Sequence, residues 1–507
     1  MNNEKNNMPK YPQSYWLEAK QLQYQSLDGN TKTDVVIIGS GITGITSAYL
    51  LAKEGLKVIL LDAGEVLAGT TGHTTAKVTA QHGLIYDELI EHFGIEQARL
   101  YYEAQADAIK MIEKEAANIN CDFSNESSFI YATNDQYSEK LTFEYDAYKR
   151  LGIIGQLKES IPFSIPTTGV LEMNNQAQFH PVKYLEGLLK RFIDLGGTVY
   201  EHTTVVDIEE GKQPVVITNK GHRILCNYVV MASHSPFLKW KGLYFSRLLP
   251  ERSYVIAIES NDDFEGNMYY CANNPVRSIR VTTSEETGKK LILIGGEGHK
   301  TGKGINTYQH YETLQAFSNE VFGEKPITFR WSAQDLTSLD KIPYIGPITS
   351  NENNIFVATG YRKWGMTNGT AAGILLKDLI TEQHTPYQEL FNPSRFHANP
   401  SIKNFITYNA DVAGQLIKGK LEPEFKHPED LANNEGGLVK VDGKRRGCYR
   451  DDDGQLHIVD TTCTHLGCET EWNAGDRTWD CPCHGSRFSY DGEVIEGPAT
   501  EPLEKMD

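Results

Sequence analysis

Asp34-Val35-Val36-Ile37-Ile38-Gly39-Ser40-Gly41-Ile42-Thr43-Gly44 opens as a short apolar run and closes on three glycines at the spacing G-x-G-x-x-G. Ile45 to Glu54 continues with helical character, and Leu56-Lys57-Val58-Ile59-Leu60-Leu61 is a second apolar run that stops at Asp62. Strand, glycine turn, helix, strand and acid in this order form the βαβ unit that binds dinucleotides. The glycines permit a tight turn and bring a pyrophosphate close to the helix N-terminus, whose free N–H groups and dipole favour an anion. The acid receives the ribose hydroxyls. Gly39, Ser40, Gly41, Ile42, Thr43, Gly44 and Asp62 are therefore candidate cofactor contacts. FAD and NAD share this fingerprint, which does not choose between them.

Segments further along make the choice. Leu185 to Leu195 reads as an amphipathic helix, followed by Gly196-Gly197-Thr198-Val199 and Thr203-Thr204-Val205-Val206. Asn227 to Ser233 reads as a buried strand with a small-residue turn. Lys341-Ile342-Pro343-Tyr344-Ile345-Gly346-Pro347 leads into Asn354 to Gly360, and Gly365-Met366-Thr367-Asn368-Gly369 opens a helix through Leu379. Together these resemble the D-amino-acid oxidase-like, glycine-oxidase-like flavoprotein superfamily over about residues 15–395. The resemblance implies FAD, with Val205 and Gly360 near it and with Gly365, Met366 and Thr367 beside the flavin ring at a helix N-terminus. It also implies that Ala68 to Lys77, including Thr71, His73 and Thr74, runs along the flavin. His73 falls where dimethylglycine and sarcosine dehydrogenases carry a histidine bonded to the flavin 8α carbon. The alternative is noncovalent packing near the dimethylbenzene edge, preferred because the flanking residues differ.

The substrate half is read from Tyr254–Glu259, Met268–Tyr270, Ile279–Thr282 and Leu291–Gly295, which alternate or run apolar at strand length. They predict a mixed or antiparallel sheet over the flavin, with a helical stretch from Tyr86 to Ala117 on the same side. Arg330-Trp331-Ser332-Ala333-Gln334-Asp335 is similar to its counterpart in γ-glutamylputrescine oxidase-like enzymes. Arg252, Tyr254, Arg277 and Arg280 are candidate anchors for a substrate carboxylate; the solvated or ion-paired reading is preferred for each arginine. Trp364 is a pocket wall or a core tryptophan.

Two loops near the C-terminus carry a second chemistry: Cys463-Thr464-His465-Leu466-Gly467-Cys468 and Cys481-Pro482-Cys483-His484-Gly485-Ser486. Two thiolates and two imidazoles are the donor set of a mixed-ligand iron–sulfur cluster, and zinc takes the same residue types. The loops resemble the Rieske [2Fe–2S] domain, closest to the high-potential branch of cytochrome bc-type complexes. Carried over by position, the resemblance implies that Cys463, His465, Cys481 and His484 hold the irons and that Cys468 and Cys483 pair as a disulfide. Gly497-Pro498-Ala499 matches the proline loop that covers the cluster. Ser486 stands where that branch has a serine donating to a bridging sulfide, and Phe488 where it has a tyrosine donating to a ligand thiolate. One donor kept and one lost imply an intermediate potential.

The expected architecture is an α/β FAD-binding domain, Rossmann-like and of the glutathione-reductase type, with a mixed or antiparallel-sheet substrate domain and a C-terminal all-β Rieske domain. The FAD-dependent oxidoreductase takes 1–390, with FAD-binding at about 30–84, 150–235 and 335–385 and the substrate domain at about 85–149 and 236–334. A connector takes 391–427, and Ile402–Tyr408 and Asp411–Lys420 read as two short helices within it. The Rieske domain takes 428–507. A chain of 507 residues needs several cores. A net charge of −18 argues against nucleic acid or an anionic membrane as partner, and no apolar run is long enough to cross a bilayer. The polar stretch Met1 to Lys10 has no secretory h-region, and Cys121, Cys226, Cys271 and Cys448 are scattered as in a reducing compartment, so a cytoplasmic location is expected.

A two-electron flavin and a one-electron cluster on one chain predict a dehydrogenase. It would oxidise a C–N bond of an amine or amino acid and send electrons singly through the cluster to an external one-electron acceptor. Hydride transfer from a neutral amine requires no protein base, so no catalytic acid or base is assigned. The alternatives are a Rieske-fed flavin monooxygenase or reductase, and a non-enzymatic electron-transfer or redox-sensing protein.

Overall fold

The structure, a computed structural model, describes residues 8–262, 264–304, 306–418 and 426–506. The first seven residues of the polar N-terminal stretch, and Gly419 and Lys420 of the second connector helix, lie outside them.

The apolar run at 35–38 becomes the strand Val35–Ile38, buried along its whole length as central parallel strands are. It lies between Tyr228–Met231 and Val58–Leu61 in a six-stranded sheet whose order is Tyr344–Pro347, Ile355–Thr359, Tyr228–Met231, Val35–Ile38, Val58–Leu61, Thr198–Tyr200. All pairings are parallel except that of Tyr344–Pro347 with Ile355–Thr359. The helices Ile42–Lys53 and Gly365–Ile380 pack against each other beside this sheet. A separate four-stranded sheet is built from Thr31–Lys32, Val205–Glu209, Val215–Thr218 and Arg223–Leu225.

The substrate half is a mixed sheet of nine strands. Its long members are Leu248–Ser260, Lys290–Lys300 and Ile327–Ser338. Most pairings are antiparallel, but Met268–Cys271 runs parallel to Ser124–Ala132. Two strands from stretches read as FAD-binding, Lys77–Val78 and Gly169–Gln178, pair here instead. Local composition does not reveal this, because both are half-polar strands and the pairing that joins them links segments far apart in the chain. The predicted helix at Tyr86 is observed as Tyr86–Ala116, with Gly94 at a φ of +81° kinking it.

The connector differs from its reading as two short helices. Ala398–Lys418 is one helical element, with a non-helical residue at Asn399. It is held to the flavin domain by Asn404 donating to Leu339 O at 2.7 Å, Asn409 donating to Ser246 O at 3.0 Å, and Asp411 pairing with Lys300 and Lys303. Beyond it stand two four-stranded antiparallel sheets. One comprises Gly436–Val441, Lys444–Arg450, Leu456–Val459 and Lys505–Met506; the other comprises Glu471–Asn473, Thr478–Asp480, Arg487–Ser489 and Val494–Glu496. Trp479 and Phe488 are cross-strand partners in the second sheet, and both are fully buried beside the cysteines of the two loops.

Candidate functional site

The glycine turn works by close approach. A side chain at Gly44 would place its Cβ 1.8 Å from Gly39 O, and one at Gly39, where φ is +103°, would sit 2.5 Å from Ala232 O. Nothing larger lets the helix start against the sheet. Ser40 N donates to Asp62 at 2.8 Å, as does Gly64 N at 2.9 Å, so the acid is fixed by the turn it serves. Burial raises the Asp62 pKa from its ordinary value. Thr71 Oγ1 accepts from Ile42 N at 3.1 Å, tying the 68–77 stretch to the helix start.

This turn opens into a cavity of about 1230 Å³. Gly39, Ser40, Gly41, Ile42, Thr43, Asp62, Thr71, His73, Thr74, Val205, Gly365 and Met366 all line it. Gly44, Gly360 and Thr367 do not. Gly44 serves packing, and Gly360 makes a left-handed turn at φ +84° against Ser338 and Leu248. The hydroxyl of Thr367 meets Thr79 O and His82, each at 3.0 Å, and Thr367 is not among the cavity-lining residues. His82 is kept neutral by burial, its pKa pushed down to about 3, and its ring stacks on Trp364 at 5.0 Å. Trp364 is thus a cavity wall braced from behind. The Nδ1 atom of His73 bonds Gly69 O at 3.0 Å, and burial lowers the pKa of this ring.

The arginines read as carboxylate anchors are all engaged elsewhere. Arg280 donates to Gln178 Oε1 at 2.8 Å and to the carbonyls of Thr75, Ala76 and Phe179. Arg277 pairs with Glu297 at 2.6 Å. Arg252, with no exposed surface, donates to Ser332 Oγ at 2.8 Å and pairs with Glu496 at 3.1 Å. Tyr254 lines the cavity, but its hydroxyl is bonded to His299 at 3.0 Å. A lone sequence cannot show these partners, because each lies on another strand or in another domain. Sequence reading missed Lys77 as a cavity residue, although it closes the quoted 68–77 stretch, where a lysine between Ala76 and Val78 on a buried segment is the available signal. It also missed Glu251 and Asp335, which face each other across neighbouring strands on the cavity wall. Burial pushes Asp335 up to about 6, opposed by Lys363 and reinforced by Glu251.

The two C-terminal loops come together as one site. Cys463 and Cys481 are buried free thiols, and the rings of His465 and His484 lie 5.1 Å apart. The Nδ1 atoms of both histidines are buried without a hydrogen-bond partner, a costly state that a metal on each nitrogen relieves. Burial holds both rings neutral, pushing His465 down to about 4 and His484 to about 3. Neutral imidazole is the form that ligates. Cys468 and Cys483 form a disulfide between the loops. Ser486 Oγ accepts from Ala499 N at 3.0 Å, fastening the Gly497-Pro498-Ala499 loop over the site. The donor set fits a two-thiolate, two-imidazole iron–sulfur cluster.

The two sites are joined. Arg487, Val494, Ile495, Glu496, Gly497, Ala499 and Thr500, all from the C-terminal domain, line the same cavity as the glycine turn. Arg252 and Arg487 face Asp476, Asp480 and Glu496 in a buried network; Arg487 meets Asp476 at 2.5 Å and Asp480 at 3.3 Å. Burial alone would raise Asp476; the two guanidiniums outweigh it and hold this acid at about 2. Gln334 donates to Gly485 O at 2.9 Å, while its own backbone carbonyl accepts from Thr70 in the stretch that follows the glycine turn at 3.2 Å. The ring of Phe245 covers His465 and His484 at 5.8 and 5.2 Å.

Fold, cavity and thiol–imidazole site define a flavoprotein oxidoreductase with an iron–sulfur domain. Residues 34–379 match the FAD dependent oxidoreductase (DAO) family and 423–507 the Rieske [2Fe-2S] domain. The chain belongs to the DAO family of FAD-dependent oxidoreductases and carries a C-terminal Rieske domain. It is 47% identical over 499 residues, 98% of each chain, to the putative Rieske 2Fe-2S iron-sulfur protein YhfW of Bacillus subtilis (strain 168). Over 395 residues, 74% of this chain and 90% of the relative, it is 24% identical to gamma-glutamylputrescine oxidoreductase of Escherichia coli (strain K12). The glycine oxidase from Geobacillus kaustophilus superposes with a TM-score of 0.61 at 19% identity, covering 72% of this chain and 99% of that one, which shows a shared fold. FAD and a [2Fe-2S] cluster are thus the cofactors. Among the described residues, no helix is long and apolar enough to cross a membrane.

Proposed function

We propose that the chain is a dehydrogenase that oxidises a C–N bond of a small amine or amino acid and passes the electrons singly through the Rieske cluster to an external acceptor. The observation that carries this reading is the shared wall: Val494, Ile495, Glu496, Gly497, Ala499 and Thr500 of the Rieske domain line the same cavity as the glycine turn. A domain merely tethered to an oxidase has no reason to form part of its cofactor site. The E. coli relative's name, a γ-glutamylputrescine oxidoreductase, fits amine chemistry.

When bound, FAD supplies the two-electron chemistry and the cluster the one-electron outlet. The chain's own residues do the rest. Gly39, Ser40, Gly41, Ile42, Thr43, Asp62 and Val205 would hold the dinucleotide, with Thr71, His73, Thr74, Gly365 and Met366 along the ring. Cys463, His465, Cys481 and His484 would hold the irons. Tyr270 and Trp364, whose rings lie 5.4 Å apart, narrow the substrate end of the cavity and exclude water. Orientation of the C–H bond, rather than proton removal by a side chain, is the protein's contribution.

The test is anaerobic. An amine should bleach the flavin of the parent and also of a variant lacking both His465 and His484, while turnover with ferricyanide collapses only in the variant. Equal turnover in the two, with stoichiometric peroxide from the parent in air, overturns the reading.

A further inference from the structure

The cavity presents three cations, Lys77, Lys363 and Arg487. Arg487 is neutralised by Asp476, Asp480 and Glu496. Lys363 faces Asp335. Lys77 is different: Nζ donates to Thr75 Oγ1 at 3.0 Å and Ser278 Oγ at 3.3 Å, and among the described residues it has no carboxylate partner. An ammonium carries three donors, so one remains for a ligand. An uncompensated cation in a desolvated wall is costly, and such costs persist where function uses them.

Its surroundings are those of the substrate end. Lys77 follows directly on the flavin-lining stretch 71–75, and its partner Ser278 stands in a cross-strand row, Tyr270–Ser278–Gly295–Val255, that covers the cavity. At Gly295 this row carries no side chain, which leaves room beside the Ser278 hydroxyl. The arginines that would otherwise take an anion are spent: Arg280 on carbonyls and Gln178, Arg277 on Glu297, Arg252 on the Rieske domain.

We infer that Lys77, with the hydroxyl of Ser278, is the anion anchor of the substrate cavity and selects amines that carry a carboxylate. The inference rests on the dehydrogenase reading above for the identity of the amine, but not for the binding of the anion. Burial, with the Arg280 guanidinium next, pushes the Lys77 ammonium down to about 7, so a carboxylate that restores its charge is favoured there. Lysine supplies a point charge and the hydroxyl a second donor, which together hold both oxygens of one carboxylate.

The test titrates the FAD- and cluster-loaded protein with acetate, propionate and benzoate, and with benzamide as a neutral control, following the flavin difference spectrum. Lys77→Met should weaken the three carboxylates about tenfold or more, as expected for losing a hydrogen-bonded charge. Lys77→Arg should retain most of the affinity, and benzamide should not distinguish the proteins. If Lys77→Met does not retain flavin, Ser278→Ala decides instead, with an expected weakening of about threefold. Carboxylates that leave the parent spectrum unmoved, or that bind Lys77→Met or Ser278→Ala as they bind the parent, overturn the anchor. Anaerobic bleaching separates the two claims. If carboxylate binding depends on Lys77 and no amine bleaches the flavin, the anchor stands and the dehydrogenase falls. If amines with and without a carboxylate bleach the parent and Lys77→Met alike, the dehydrogenase stands and the anchor falls.

Discussion

The two cofactor sites are built on opposite plans. The four donors proposed for the cluster come from two six-residue loops, all buried, with the sulfur of each loop's spare cysteine tied to the other. The flavin site is a cavity of about 1230 Å³ whose lining runs from Ile38 to Thr500. A cluster needs a few donors at fixed distances, which a short loop can supply. A dinucleotide and its substrate need a long groove, which only strands distant in sequence can enclose. The contrast has a limit: Gly497 and Ala499, from the loop fastened to Ser486, also line the cavity, beside Arg487 and Val494 to Glu496 of the same domain. The compact site is one wall of the extended one.

Removing a cluster ligand gives the largest expected effect and breaks the comparison at its compact end. His484→Ala should abolish the Rieske electron paramagnetic resonance signal, because the second iron then lacks one of its two imidazoles. A purified parent containing zinc but neither iron nor sulfide would refute the cluster itself. Flavin content is the second readout, since the loop carrying His484 also accepts from Gln334.

Cutting the shared wall is next. Arg252→Met leaves Glu496 and Asp480 facing Arg487 alone, and removing one partner of a buried network costs roughly 3–5 kcal/mol. Thermal unfolding of the variant should begin earlier, with flavin lost as the 494–500 wall loosens. Unchanged melting and full flavin retention would mean that the two domains are independent modules.

How much of this was legible in the sequence follows the same division. The loops at 463–468 and 481–486 and the turn at 39–44 are local, and their residues could be named because spacing along the chain equals spacing in space. Arg252, Arg277 and Arg280 read first as solvated or ion-paired arginines, and Arg252 and Arg277 are ion-paired, but which group each meets was not legible because an arginine's role depends on its partner. Glu496 lies 244 residues from Arg252 and Gln178 lies 102 from Arg280. The pairing of Lys77–Val78 with Gly169–Gln178, inside stretches read as FAD-binding, is not legible locally for the same reason. Lys77 stands in the 68–77 stretch, but what makes it distinctive, the lack of a carboxylate partner among the described residues, exists only in three dimensions.

The cavity wall holds a pH-dependent cost. Asp335 has a folded pKa raised to about 6 by burial and by Glu251 on the neighbouring strand, against an unfolded value of 3.8. A raised acid makes the folded state bind the proton more tightly, so stability falls as pH rises from the unfolded to the folded value and is flat above. Asp335→Asn should therefore stabilise the flavin-free protein by on the order of 3 kcal/mol above about pH 7. The gain should shrink as pH falls through the folded value and vanish below about pH 3, where the parent acid is protonated in both states. A gain independent of pH would show that the carboxylate is not the source.

The smallest predicted effect sharpens the compact site. Phe488 is fully buried, paired across the strand with Trp479 and packed in one core with Cys463 and Cys481. Ser486 keeps its hydroxyl at the cluster loop, but this position offers no donor. Adding one with Phe488→Tyr should raise the midpoint potential, because a hydrogen bond to a ligand thiolate stabilises the more electron-rich reduced cluster more than the oxidised one. A hydrogen bond to a charged acceptor worth about 1.4 kcal/mol more in the reduced state corresponds to roughly 60 mV for one electron. Redox titration of the electron paramagnetic resonance signal measures it, with signal shape as the control for an intact cluster. A midpoint that stays in place or falls would mean that the new hydroxyl finds another acceptor and that position 488 does not tune the cluster.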